Sequence, residues 1–280
     1  MNNYIIELYG STIGLILLIY LGVKFFAFVK ERFRLSTIQK KSLTKQQILI
    51  LQKSLMPYRF LSEEEKKRLH QKILYFLEYK SFYSIQKFKV TEEIKLLIAA
   101  QACLLIVNLD SKIYPKLQSI YISHLPFIET ENPVDLNTLM PIHVPRLGES
   151  WKDGPVVLAW SSVKEGLNNW QDGQNVVLHE FTHQLDSFDG DMDGTPVLKN
   201  EISYKKWEIF MTKEFLDLRK KLRTHQKSDI DFYGATNEAE FFAVAVEHFF
   251  SKAQIFHDKH PELYQIFSEY FKLDPKSWII

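Results

Sequence analysis

The chain has almost nothing from which to build covalent cross-links. Cys103 is the one cysteine among 280 residues, which excludes an intramolecular disulfide framework and any cysteine-rich zinc or iron–sulfur site. An excess of one charge sign is also missing. Lys+Arg number 35 against 34 Asp+Glu, a formal net charge of +1, so no global field exists to hold nucleic acid and direct nucleic-acid binding is not expected. Internal repeats and low-complexity tracts are absent. With 46% hydrophobic residues the chain is long enough to bury a real core.

The near-neutral total hides a division. Up to Met56 the acids are Glu7 and Glu31, whereas the bases are Lys24, Lys30, Arg32, Arg34, Lys40, Lys41, Lys45 and Lys53. A basic head is therefore joined to an acidic body. Within the head, Leu8 to Val23 carry no charge and Phe25 to Val29 continue the apolar run past Lys24. That length approaches the ~20 residues needed to cross a bilayer, and a transmembrane helix over residues 1–30 is expected. No basic segment precedes the run, as a cleaved signal peptide would require. All the bases lie at or beyond Lys24, so the positive-inside rule predicts a single-pass inner-membrane protein with its body in the cytoplasm. Residues 31–56 read as a basic, partly helical linker.

Pro57 marks the next boundary, because the residue before proline is pushed out of the helical region. Ser62 and Glu65 form a capping box that opens a helix through Leu69, Ile73 and Leu77. A second helix starts near Thr91 and buries Ile94, Leu97, Leu104 and, by its spacing, Cys103. From Tyr114 to Val163 the texture changes to strands, with Ser119–Ser123 and Pro155–Trp160 the clearest, the latter after a Lys152-Asp153-Gly154 turn signal. Helices return over Asn175–Phe188, Tyr204–Lys221, Glu238–Lys252 and Pro261–Phe271. The predicted organisation is a helical part over 57–130 and a catalytic part over 131–280. Its fold class is α+β, a small sheet covered by helices.

The chemistry is concentrated in VVLHEFTHQLD. His179, Glu180 and His183 form His-Glu-x-x-His on a predicted helix, where positions i and i+4 are neighbours and two imidazoles converge on one ion. Such nitrogens suit Zn²⁺, a catalytic site keeps one position for water, and Glu180 then stands where a general base is needed. A metzincin would continue with Gly at 186 and His at 189, but the chain has Asp186 and Asp189, which excludes that class. The third ligand is then a carboxylate on a later helix. Glu240 and Glu247 lie two turns apart on one face, and spacing does not choose between them. Asp186 is a candidate acceptor behind His183 or a helix-end structural residue. Asp189, Asp191, Asp193 and Gly194 imitate a calcium loop, but Asn200 stands where the bidentate glutamate belongs.

HEFTHQLD, GESWKDGPVVLAW (Gly148–Trp160) and YGATNEAEFFAVAVEHFF (Tyr233–Phe250) together resemble the Mlc titration factor A family of bacterial zinc metallopeptidases, over about residues 57–275. The resemblance implies a zincin-like catalytic domain with one Zn²⁺ held by His179, His183 and Glu240. It also implies peptide or protein substrates, aminopeptidase-like activity and, by analogy with the namesake, a transcriptional repressor as partner. The site is similar to that of anthrax lethal factor, where a tyrosine seven residues before the ligand glutamate assists catalysis. Tyr233 stands at that spacing, which favours Glu240 over Glu247 and makes Glu180 and Tyr233 the expected catalytic pair. The apolar head is a departure from the namesake.

Overall fold

Side chains that accept orphan backbone N–H groups set most helix starts. Thr44, Ser62, Thr91, Asn175, Asn200 and Asn237 each cap the helix that follows, each contributing about 1 kcal/mol. The computed structural model describes residues 2–126 and 154–278, with side chains from Ile19 onward apart from Ala27. In chain order the elements are α1 (Asn2–Lys40), α2 (Lys45–Ser54), α3 (Glu63–Tyr79), β1 (Ser81–Ser84), α4 (Glu92–Leu105), β2 (Ser119–Ser123), β3 (Val156–Ala159), α5 (Trp160–Asn168), α6 (Val176–Asp186), α7 (Glu201–Arg223), α8 (Glu238–Ser251), α9 (Ala253–Lys259) and α10 (Pro261–Phe271). The chain divides into two units, Met1–Ser42 and Leu43–Ile280.

The first unit is the single helix α1. Phe25, Phe26, Phe28 and Phe33 on it are exposed, with Lys24 over the Tyr20 ring and Arg32 over the Phe28 ring. Among the described residues no helix is long and apolar enough to cross a membrane, so the expected transmembrane helix is not supported. The physical reason is dilution: from Ile19 on, Lys24, Lys30, Glu31, Arg32 and Arg34 interrupt the apolar positions. The side chains of Leu8 to Leu18, on which much of that expectation falls, lie outside the described residues.

In the second unit the sheet has the order β1-β2-β3, with both pairs parallel and Ile120 opposite Val156. Parallel neighbours need a crossover, and α4 supplies it between β1 and β2. Ile120, Ile122, Val156 and Leu158 turn inward. The helix-dominated arrangement with a small sheet matches the expected outline and is compatible with a metallopeptidase. Its parallel pairing was not legible in the sequence. The Ser81–Ser84 strand escaped notice because it is short and largely exposed. Trp160 begins α5 where a strand was expected, since Val163 and Leu167 bury one face of a helix.

Residues 43–56, read above as linker, differ from expectation: Leu43, Leu51 and Leu55 belong to the core of the second unit. The expected 130/131 boundary, the Lys152-Asp153 turn and Gly148–Asp153 lie outside the described residues. Aromatic packing holds the interior together. Phe181 of α6 meets Phe76 and Tyr114, and Phe249 of α8 meets Phe250, Phe267 and Phe271. Each such side chain contributes roughly 1.5–3 kcal/mol on burial. Cys103 is fully buried in α4 and burial pushes its thiol pKa up, as suits a core residue and not a nucleophile.

Candidate metal centre

The floor of the site is α6, which begins where Asn175 accepts hydrogen bonds from the Val177 and Leu178 N–H groups. Val177, Leu178, Phe181 and Leu185 anchor its inner face in the core. His179, Glu180 and His183 are thereby left at its partly buried side. α8 packs against α6, and Asn237 caps it by accepting from the Glu240 N–H. That cap fixes the first turn of α8, from which the Glu240 carboxylate reaches back to the two imidazoles. Its Oε2 lies 3.0 Å from His179 Nε2 and 3.4 Å from His183 Nε2.

One donor atom from each of His179, His183 and Glu240 lies within 4.8 Å of the other two. Two imidazole nitrogens and a carboxylate oxygen make the donor set of a catalytic zinc site, so the residues present fit such an ion. Electrostatics points the same way. Burial disfavours a charged His179, yet its hydrogen bonds to Glu240 and Glu247 outweigh that cost and push its pKa up to about 10. Burial likewise opposes a charged Glu240, but the bonds to His179 and His183 hold it down at about 2. A field that retains a proton so strongly favours any cation at the same point.

Glu247 has a different position from the one spacing left open. Its Oε1 accepts from His179 Nδ1 at 2.8 Å, and its Oε2 accepts from the Asn175 N–H. It thus orients the ring and leaves Nε2 turned toward Glu240 and His183, the arrangement by which carboxylates support metal-binding histidines. Asn175, which sequence reasoning missed, is tied further by its Nδ2 to Gln101 Oε1 at 2.8 Å. Asp186 does not support His183: its carboxylate accepts from the Gly194 and Thr195 N–H groups at 3.0 and 2.8 Å. His183 Nδ1 is buried and has no hydrogen-bond partner among the described residues. Gly194 has φ +81°, and a Cβ there would fall 2.5 Å from the Glu238 carbonyl, so the would-be calcium loop is pressed against the start of α8.

Burial raises the Glu180 pKa, His179 and His183 oppose the rise, and Glu240 and Glu247 add to it. Tyr233 sits in a 3₁₀ turn over Phe232–Ala235 whose Asp231 cap accepts from the Tyr233 N–H at 2.8 Å. Its ring centroid is 5.9 Å from that of His179, and the side chain is 50% exposed. Burial and the charges of Glu240 and Glu180 raise its phenol pKa, which keeps the hydroxyl a donor. The loop entering this turn is clamped by a second buried histidine. His260 places Nδ1 2.7 Å from Glu214 and Nε2 3.1 Å from Asp229, while His248 Nε2 donates to the Asp229 carbonyl at 2.6 Å. Histidines isolated in sequence thus share one acceptor segment, which no spacing signal reveals.

Comparison with known proteins adds an independent finding. The profile of the family described as glucose-regulated metallo-peptidase M90 matches residues 28–272. An uncharacterized protein of Synechocystis is 40% identical over 220 residues, covering 78% of this chain and 80% of its own length. Mlc titration factor A of Klebsiella pneumoniae is 30% identical over 218 residues, 77% of this chain and 82% of its own. Its Escherichia coli counterpart is 28% identical over the same extent.

Proposed function

The chain belongs to the glucose-regulated metallo-peptidase M90 family, and on that premise we propose that it is a zinc-dependent, aminopeptidase-like peptidase. His179, His183 and Glu240 would hold the ion, with Glu180 and Tyr233 as the catalytic pair. The observation that carries this reading is the convergence of three donors from α6 and α8 beside Glu180. Bound zinc supplies Lewis acidity toward a carbonyl and makes hydroxide available near neutral pH.

The side chains account for the remaining roles. Glu180, its pKa raised toward the working range, takes a proton from the attacking water and returns it to the leaving amine. Tyr233, kept protonated, donates to the oxygen on which charge develops. Glu247 holds His179 in one tautomer throughout. Glu180→Gln is expected to lower turnover of a chromogenic aminoacyl substrate by about 10²–10⁴ while one zinc per chain is retained. Full activity in that variant would sink the scheme, as would activity indifferent to a chelator.

The name of the Klebsiella relative, a titration factor, supports a second reading, capture of a transcriptional repressor. Repressor binding without any peptide turnover would favour it. We further propose that α1 holds the chain at the inner membrane with the body on the cytoplasmic side. What supports this is the exposure of Phe25, Phe26, Phe28 and Phe33 around α1, interspersed with Lys24, Lys30, Arg32 and Arg34. Full release of the protein from membranes by alkaline carbonate would refute the anchor.

A further inference from the structure

α7 has two faces of opposite character. Trp207, Met211, Phe215 and Leu218 are buried in the body. On the other side Ile202, Ile209 and Leu216 are 69%, 62% and 53% exposed. They recur every seven residues and so form one nearly straight line down the helix. Lys205, Lys206, Lys213, Lys220 and Arg223, all exposed, fall within about 60° of that line at 100° per residue. The acids nearest the line, Glu201, Glu208 and Asp217, stand about 100° from it, outside the bases, and Asp217 is paired with Lys221 at 2.7 Å. Among the described residues Lys205, Lys206, Lys220 and Arg223 have no carboxylate within ion-pair distance. Single exposed isoleucines need no explanation, but an apolar line framed by bases is the make-up of a helix that lies at a lipid interface.

We propose that this face of α7 docks on an anionic bilayer surface, with Ile202, Ile209 and Leu216 entering the acyl boundary and the flanking bases meeting headgroup phosphates. Charge decides between occupants. A second copy of the same face would set bases against bases, and a soluble polyanion would satisfy the bases while leaving the apolar line uncovered. The anionic lipid surface satisfies both halves of the face, and each base close to it adds to the attraction.

The test uses the full chain with an environment-sensitive dye on Ile209→Cys, and in a separate sample on Glu64→Cys at the exposed start of α3. The buried Cys103 stays in place. Vesicles of equal phosphatidylglycerol and phosphatidylcholine are expected to shift the dye at 209 to the blue and to leave the dye at 64 unchanged. Neutral phosphatidylcholine vesicles should give no shift at 209, even if α1 tethers the protein to them. Lys206→Glu with Lys220→Glu should raise the lipid concentration at half-shift by about tenfold or more without changing hydrolysis of a soluble peptide. The proposal is overturned by no shift at 209 on anionic vesicles, by equal shifts at 209 and 64, or by equal shifts on neutral and anionic lipid. It is likewise overturned by a shift that needs only higher protein concentration, which assigns the face to a second copy, or by one that soluble polyglutamate reproduces in full.

Discussion

Two histidines in this molecule have the same immediate surroundings and opposite prospects. His179 stands between Glu240 and Glu247, and His260 stands between Glu214 and Asp229. Both are at least largely shielded from solvent, and both place a carboxylate on each ring nitrogen. What separates them is the third partner. Beyond His179 Nε2 a second imidazole, His183, converges on the same carboxylate, whereas the two carboxylates around His260 approach opposite nitrogens and, among the described residues, meet lysines, Lys213 and Lys259, in place of a further imidazole. The first arrangement presents several donors to one point in space and suits an ion. The second joins α7, the Asp229 loop and the start of α10 and suits a clamp. Counting ligand-type residues near a histidine does not distinguish these cases; the direction of the donor atoms does.

Metal content tests the comparison most severely. His183→Ala should reduce bound zinc from about one per chain to near zero at micromolar concentrations, as read by elemental analysis after dialysis. His260→Gln should leave the stoichiometry at one. Stability reverses the ranking: His260→Gln weakens the ring's bonds to the half-buried Glu214 and Asp229, which keep Lys213 and Lys259, and should cost about 1–3 kcal/mol in urea unfolding, with turnover falling through the Tyr233 loop. A metal-free His260→Gln protein of unchanged stability would erase the distinction.

A smaller effect is expected at the ring's second carboxylate. Glu247→Gln should weaken zinc about 10–100-fold in competition with a chromogenic chelator, because an amide orients the ring less firmly. The smallest effect concerns pH. Burial raises the Asp186 pKa to about 6, against the hydrogen bonds from Gly194 and Thr195 that favour its charged form. The folded chain therefore binds more protons than the unfolded chain between about pH 4 and 6, and stability contributed by this group falls as pH rises through that window. Asp186→Asn should flatten that part of the urea midpoint against pH profile, by roughly 2 kcal/mol or less.

The legible parts of the molecule were those encoded over short stretches of chain. His179, Glu180 and His183 announce themselves because a helix brings i and i+4 together without help. The Ser62–Glu65 capping box appeared as expected, for the same reason of local reach. Glu240 and Glu247 were both visible as candidates, but their separate duties depend on where α8 crosses α6, which no local pattern states. Asp186 shows the same limit: its sequence position left open a support for His183 or a helix-end structural role, and the Gly194 and Thr195 N–H groups take its carboxylate. Parallel strand pairing and the His260 clamp were invisible because each depends on segments brought together from distant parts of the chain.

Distance along the chain has a temporal side as well. Glu240 follows His179 by 61 residues, and Glu247 follows its partner Asn175 by 72. At a synthesis rate of about 5–20 residues per second, α6 leaves the ribosome several seconds before the carboxylates that complete and steady its histidines. A nascent chain in that interval carries an imidazole pair and a glutamate but no closed donor set. The closed donor set therefore comes into being only once α8 has docked on α6, when most of the body has already been synthesised.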